Sequence, residues 1–383
     1  MREVVIVEAV RTPVGRRNGA LSGVRAEDLA AAPLRELVQR TGISPEMIDD
    51  VIFGCVSQVG EQSFNIARMA ALIAGFPVNV PGTTIDRQCG SSQQAVHFAA
   101  QAILSGDMDV VVAGGVESMS RVPIGSNREG IAFSESLTSQ YEIVHQGVSA
   151  ERIAEKWGFN RQQLDEWSLH SHEKAVAAQK DGRFEREVMP LEVGQPDGEK
   201  TVVATDEGPR PDTTLEKLAN LQPVFQADGT VHAGNASQIS DGAAALLLMS
   251  REKAGALGLK PRFRVLARTV VGSDPTLMLT GPIPATAHVL KKAGLRLEDI
   301  DLFEVNEAFA SVVLAWLAET GADVRKVNPN GGAIALGHPL GASGARLMAT
   351  LMHELERTGG RYGLQTMCEG YGMANATIIE RLA

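Results

Sequence analysis

Short apolar runs alternate along this chain with longer stretches whose apolar residues recur every third or fourth position. The runs predict strands, and the longer stretches predict helices buried along one side. In the first half, strands are expected at 4–10, 51–56, 83–86 and 110–114, with a late one at 243–250. In the second half they are expected at 263–271, 302–305, 327–328, 362–367 and 374–379. Amphipathic helices are expected at 29–41 and 285–293. Two further helices, 90–104 and 341–355, hold few charges and many Ala, Ser and Gly, so they can pack closely on both sides. Strands alternating with helices in this way make a mostly parallel sheet covered on both faces. From 118 to 238 the rhythm breaks. Polar helices (150–158, 161–179) and loops rich in Gly, Pro and Asp, without a strong strand, suit an insertion that covers a site.

The two halves echo each other. Gly42/Gly294, Glu46/Glu298, Ile48/Ile300 and Asp49/Asp301 share one spacing, 252 (294 − 42), and both segments link an amphipathic helix to an apolar strand. The same spacing carries Cys89 onto Gly341, inside another glycine-rich turn that opens a helix of small residues. The expectation is a duplicated α/β fold: two mostly parallel sheets with the small-residue helices buried between them, in αβαβα layers, plus an inserted loop domain. The division expected is 1–118 with 239–259 as one half, 119–238 as the insertion and 260–383 as the other half.

Composition narrows the possible functions. With 383 residues, 44% of them hydrophobic, the chain can build a large core or two to three domains. It carries 36 basic and 46 acidic residues, net charge −10, and no basic run longer than a pair, which argues against nucleic acid. An anionic ligand therefore needs local positive groups. No apolar stretch reaches the ~18 residues of a membrane helix, and charges interrupt the N-terminal run too early for a signal peptide. Cys55, Cys89 and Cys368 form no C-x-x-C pair and no disulfide framework, which fits a reducing, cytoplasmic setting.

Asp86-Arg87-Gln88-Cys89-Gly90-Ser91-Ser92 places a cysteine at a strand-to-helix turn. A helix N-terminus favours the thiolate, and such surroundings can lower a thiol from ~8.5 to roughly 3.5–7.5. Taken alone, Cys89 reads equally as a buried structural cysteine. Three other motifs would converge on it across a pseudo-two-fold axis: Asn306-Glu307-Ala308-Phe309-Ala310 after a strand, His338 among glycines, and Met367-Cys368-Glu369-Gly370 at a strand end. Each alone has a structural reading, and a Cys-Cys-His zinc site is a further alternative, although structural zinc prefers four ligands with paired spacing. As a set they supply a thiol nucleophile, an imidazole, a second thiol for acid–base work and backbone N–H groups for an oxyanion. No G-x-G-x-x-G follows a strand; only Gly114-Gly115 hints at a dinucleotide fold.

These residues resemble the thiolase family, from Val7-Glu8-Ala9-Val10-Arg11-Thr12-Pro13 to the C-terminus. Val116-Glu117-Ser118-Met119-Ser120, Gly234-Asn235-Ala236-Ser237 and Gly337-His338-Pro339-Leu340-Gly341-Ala342-Ser343-Gly344-Ala345-Arg346 are especially similar. The resemblance implies reversible thiolytic cleavage of 3-ketoacyl-CoA by CoA, in lipid catabolism such as fatty acid β-oxidation. By that likeness Cys89 is acylated, His338 activates it, and Cys368 moves the α-proton. Asn306 positions a water that, with His338, binds a thioester oxygen, and the N–H groups of Cys89 and Gly370 hold the acyl oxygen. Arg210 and Ser237 match CoA-contacting positions. It further implies a homodimer or homotetramer, no metal, and no permanently bound cofactor beyond coenzyme A and acyl-CoA as substrates.

Two departures bear on specificity. Tyr371 replaces a glycine of the family's closing motif and Ala374 its last glycine, and His145-Gln146-Gly147 stands where strict acetoacetyl-CoA enzymes tend to have His-Met-Gly. The alternatives are a biosynthetic acetoacetyl-CoA thiolase and a non-catalytic CoA-binding relative; a ketosynthase is disfavoured by the second cysteine.

Overall fold

The computed structural model describes residues 2–194 and 198–382; the expected outer limits of the two halves, Met1 and Ala383, lie outside them. The strands are β1 (Val4–Arg11), β2 (Gly15–Arg16), β3 (Asp50–Gly54), β4 (Gly82–Ile85), β5 (Val110–Ser118), β6 (Leu191–Gly194), β7 (Lys200–Val203), β8 (Ser240–Ser250), β9 (Phe263–Gly272), β10 (Leu302–Val305), β11 (Tyr362–Glu369) and β12 (Met373–Arg381). Duplication shows in the strand order. One half reads β4-β3-β5-β8-β1 and the other β10-β11-β12-β9, with Val327 bridging Phe303 where β4 has its counterpart. β3 and β10 begin 252 residues apart (302 − 50), and so do β5 and β11 (362 − 110).

Within each half all strands but one run the same way: β8 is antiparallel to both β5 and β1, and β12 to both β11 and β9. The expectation of two separate sheets needs one correction. β1 and β9 pair antiparallel over Val5↔Arg264 and Ile6↔Phe263, which joins the halves into a single ten-stranded sheet. The expected strand at 327–328 shrinks to that single bridge.

Burial on both faces explains the continuous apolar runs. In β1, Val5, Val7 and Val10 meet the helix Ala26–Thr41 on the outer face. Val4, Ile6 and Ala9 face the buried helices Ser91–Ser105 and Leu340–Thr358 on the inner one. Those two helices nearly touch, because a methyl group on Gly344 would collide with the backbone of Gln93. Polar residues tie the first of them to the opposite half: Gln93 Nε2 donates to Thr377 Oγ1 at 2.8 Å, and His97 Nε2 lies 2.8 Å from the same hydroxyl.

The segment between β5 and β8 carries helices joined by long loops, with the small hairpin β6–β7 as its only sheet among the described residues. Its helix Arg161–Lys180 is fastened by Glu307, whose carboxylate accepts from Trp167 Nε1 (3.1 Å) and Ser171 Oγ (2.7 Å). Glu307 also takes Asn328 Nδ2 (3.1 Å) and the N–H of Ile334 (3.2 Å), so one buried side chain binds the insertion to the loop leading to His338.

Candidate active site

β4 ends at Ile85, and the chain turns sharply through the Asp86 carboxylate, which accepts the Gln88 N–H at 2.6 Å. Ser91 Oγ accepts from the Arg87 N–H at 2.9 Å and donates to the Gln88 carbonyl at 2.6 Å. The turn holds Gln88 at φ +47°, a left-handed conformation costing roughly 1–2 kcal/mol outside glycine. Cys89 is thereby presented just before the helix Ser91–Ser105, almost wholly buried at the floor of a cavity of about 1280 Å³.

From the other half comes His338. Its N–H is shared between the Gln238 carbonyl and Ser240 Oγ, both at 3.2 Å. Its Nδ1 lies 2.5 Å from Ser343 Oγ, and that hydroxyl spends its own proton on the Pro339 carbonyl at 2.8 Å. The hydroxyl is left as an acceptor, so Nδ1 carries the hydrogen and Nε2 presents its lone pair. Nε2 stands 3.4 Å from Asn306 Nδ2, while Asn306 Oδ1 is buried without a hydrogen bond.

Cys368, at the end of β11, is fully buried and close enough that charge on Cys89 raises its pKa. Cys89, His338, Gly370 and Ser237 line the cavity; Cys368 and Asn306 sit behind the lining. Arg210 is not part of it. That side chain is exposed on the outside, where its backbone N–H donates to His172 Nδ1 at 3.1 Å.

The electrostatics reverse one expectation. Burial, followed by the nearby Glu369, pushes the Cys89 thiol up to about 12, although the N–H groups of Cys89 and Gly370 pull the other way. A helix start favours a thiolate only where water or a cation also supports the charge, and this enclosure removes the water. Burial, with Arg346 nearby, lowers His338 to about 3. At neutral pH the resting site holds an uncharged thiol beside an uncharged imidazole.

The sequence pattern did not single out two acidic side chains. Glu117 on β5 and Glu369 on β11 are 252 residues apart (369 − 117), the duplication spacing. Glu117 accepts the N–H groups of Val56 (2.9 Å), Ser57 (3.0 Å) and Gly341 (2.9 Å) and the Gln62 amide (2.8 Å). Among the described residues neither carboxyl oxygen of Glu369 has a hydrogen-bond partner. A carboxylate near the end of a buried strand in each half, at the duplication spacing, is the signal that marks both. Ser343 likewise escapes notice as the partner of His338; only helical geometry at the start of Leu340–Thr358 reveals it.

Tyr371 sits at φ +65° and turns its ring into the cavity, 5.8 Å from Phe133 and edge-on to it. Phe133 in turn carries the Arg128 guanidinium 4.2 Å above its ring. On another wall Phe225 stacks on His145 at 5.0 Å and meets Phe309 edge-on at 6.1 Å. Among the described residues no group of three or more His, Cys, Asp or Glu is placed to hold a metal ion, and no helix is long and apolar enough to cross a membrane.

Comparison with known proteins identifies the family across nearly the whole chain. Residues 4–252 match the thiolase N-terminal domain and residues 259–381 the thiolase C-terminal domain. A steroid 3-ketoacyl-CoA thiolase of Mycobacterium tuberculosis is 53% identical, over 100% of this chain and 95% of that protein. A beta-ketoadipyl-CoA thiolase of Escherichia coli is 48% identical over 100% of both. The crystal structure of the Bacillus anthracis acetyl-CoA acetyltransferase superposes with a TM-score of 0.93 at 43% identity, covering 100% of this chain and 99% of that one. With two thiols and an imidazole brought together from opposite halves of a duplicated fold, the chain belongs to the thiolase family of acyltransferases.

Proposed function

We propose that this protein cleaves 3-ketoacyl-CoA with CoA, degradatively, through an acyl-Cys89 intermediate. The observation that carries the reading is the meeting of Cys89 and His338 at one cavity, with Cys368 buried just behind Cys89. His338 Nε2 takes the Cys89 proton as the sulfur attacks the C3 carbonyl of the substrate. The new oxyanion is received by the N–H groups of Cys89 and Gly370, so charge separation occurs only where donors already wait. The C2–C3 bond then breaks, and Cys368 gives its proton to C2 of the departing acetyl-CoA. The resulting Cys368 thiolate takes the proton of incoming CoA, whose sulfur attacks the acyl group; Cys89 leaves and recovers its proton from His338. Asn306 holds a water beside His338 for the thioester oxygen, a role its orphaned Oδ1 supports.

Ser237 contacts the pantetheine arm along the wall of Phe225 and Phe309, and Arg210, outside the cavity, meets the nucleotide phosphates. The domain division expected from sequence belongs to this reading, with 119–238 as the cover. So do cytoplasmic location and assembly as a homodimer or homotetramer.

The acyl group is larger than acetyl and ends in an acid. At about 1280 Å³ the cavity exceeds the ~300–1,000 Å³ of ordinary small-molecule sites. Among the described residues Arg128 is the only lysine or arginine lining it, and its guanidinium donates only to the Ala132 carbonyl, at 3.2 Å. The beta-ketoadipyl substrate named for the Escherichia coli relative carries such a distal carboxylate. Incubation with acetyl-CoA and mass spectrometry tests the chemistry. Cys89 gains an acetyl group, Cys89→Ala gains none, and Cys368→Ala keeps the label while losing deuterium exchange at the acetyl methyl. Label retained by Cys89→Ala sinks the reading.

A further inference from the structure

The duplication allows the same corner of the fold to be compared twice. In one copy, Glu117 is the next-to-last residue of β5, and its carboxylate takes the N–H of Gly341 at the start of the opposite buried helix. In the other copy β11 ends in Glu369, and the residue matching Gly341 is Cys89 (341 − 89 = 252). Glu369 lies against that turn: a methyl group on Gly90 would overlap its carboxyl. Yet among the described residues both its oxygens are unpartnered, and the Cys89 N–H goes to no carbonyl or carboxylate. The surrounding polar groups are equally unspent. Arg87 Nε and Asn375 Oδ1 are buried without hydrogen bonds, while Asn375 Nδ2 is committed to the Gly90 carbonyl at 2.9 Å.

We propose that Glu369 is a positioning residue whose protonated carboxyl leaves the Cys89 N–H free for the reaction oxyanion, and whose ionised carboxylate takes that N–H, as Glu117 takes the N–H of Gly341. An ionised, unpaired carboxylate in a dry enclosure is costly, so the group holds its proton until the pH is high. Burial raises Glu369 to about 8, with Asp86 adding to the rise and Arg87 opposing it. The charged and titratable groups facing it are Arg87, Asp86 and Cys89 from the turn and Cys368 on its own strand; β12 contributes only the uncharged Asn375 and Met373. Loss of the proton has two effects with one sign. It raises the Cys89 thiol further and withdraws one of two oxyanion donors, a loss worth on the order of 10²–10³ in rate at other such sites.

The inference rests on the thiolase reading, and its test separates the two. Single-turnover acetylation of Cys89 by acetyl-CoA is followed from pH 6 to 10 in the native protein and in Glu369→Gln, which has the shape of the protonated acid and no charge to gain. The expected result is a native rate that declines above about pH 8. The Gln variant does not decline there, so the ratio of variant to native rises by at least tenfold across that interval. Parallel profiles overturn the proposal while leaving the nucleophile intact. Absence of acetyl-Cys89 at every pH would instead overturn the thiolase reading. Should Glu369→Gln fail to fold, the native profile decides: a rate that keeps rising through pH 10 overturns the proposal, and a decline centred near 8 supports it.

Discussion

His338 Nδ1 lies 2.5 Å from Ser343 Oγ, and this fixes which ring nitrogen is left to accept a proton. The arrangement is self-contained, since the serine proton is already committed to Pro339, the residue next to the histidine. A base that must accept at Nε2 needs Nδ1 to be the protonated nitrogen, and the first turn of the helix Leu340–Thr358 enforces that choice. Replacement of Ser343 by Ala frees the tautomer and the ring orientation. Acylation of Cys89 is expected to slow by roughly 10²-fold, within the range of general-base contributions. Ser343→Thr, which keeps the hydroxyl, is expected to restore most of it. Equal rates for Ala and native protein in single-turnover acylation would remove Ser343 from the mechanism.

Arg128 gives a test of substrate class. Arg128→Gln should lower the ratio of kcat/KM for 3-oxoadipyl-CoA over 3-oxohexanoyl-CoA about tenfold. That is the lower end for a charge-assisted hydrogen bond, because the side chain is exposed. The loss is expected in KM more than in kcat. If both substrates lose equally, the guanidinium serves CoA rather than the acyl end.

Glu307 is placed as a structural tie. Glu307→Ala takes an acceptor from four buried donors, Trp167, Ser171, Asn328 and the N–H of Ile334, of which Asn328 Nδ2 keeps the Val305 carbonyl. The expected loss is about 3–5 kcal/mol, measured by denaturant unfolding. Proteolysis should show the segment around the helix Arg161–Lys180 loosened first. A loss below about 1 kcal/mol would mean that water replaces the carboxylate.

Glu304 links stability to pH. Burial raises its carboxyl to about 8 in the folded protein, although Arg346 opposes the rise. The unfolded chain releases this proton near pH 4.5, while the folded one keeps it. Its contribution is therefore complete below about 4.5 and is lost progressively as pH rises to about 8. Glu304→Gln removes that slope. Relative to the native protein, the variant should gain on the order of 1 kcal/mol per pH unit across the interval, read from urea midpoints. A constant difference between the two proteins would show that Glu304 is ionised throughout.

Much of the fold and site is legible in the sequence because it is local. The turn at Cys89, the glycines around His338 and the apolar runs of β1, β5 and β8 each announce themselves within a few residues. The duplication spacing by itself aligns β3 with β10 and β5 with β11. What stays hidden depends on what faces what. A helix start suggests a low thiol pKa, but only the enclosure shows that desolvation outweighs it at Cys89. Arg210 has the charge an anionic substrate needs, yet it projects outside the cavity. Glu117 and Glu369 look alike in sequence, and their opposite fates follow from whether the facing backbone offers its N–H groups. The β1–β9 join spans two residue pairs, too short to leave a periodic trace.

β1 also carries a consequence for how the molecule is made. Val4 pairs with Ser250 and Val5 with both Met249 and Arg264, so the partners of β1 follow it by about 246 residues (250 − 4). At ~5–20 residues per second, translation reaches those partners only after some tens of seconds. Until then a strand destined for burial on both faces has neither neighbour. A segment made long before its neighbours is thus placed late, and nascent chains cut short before β8 should expose it to chaperones or to aggregation.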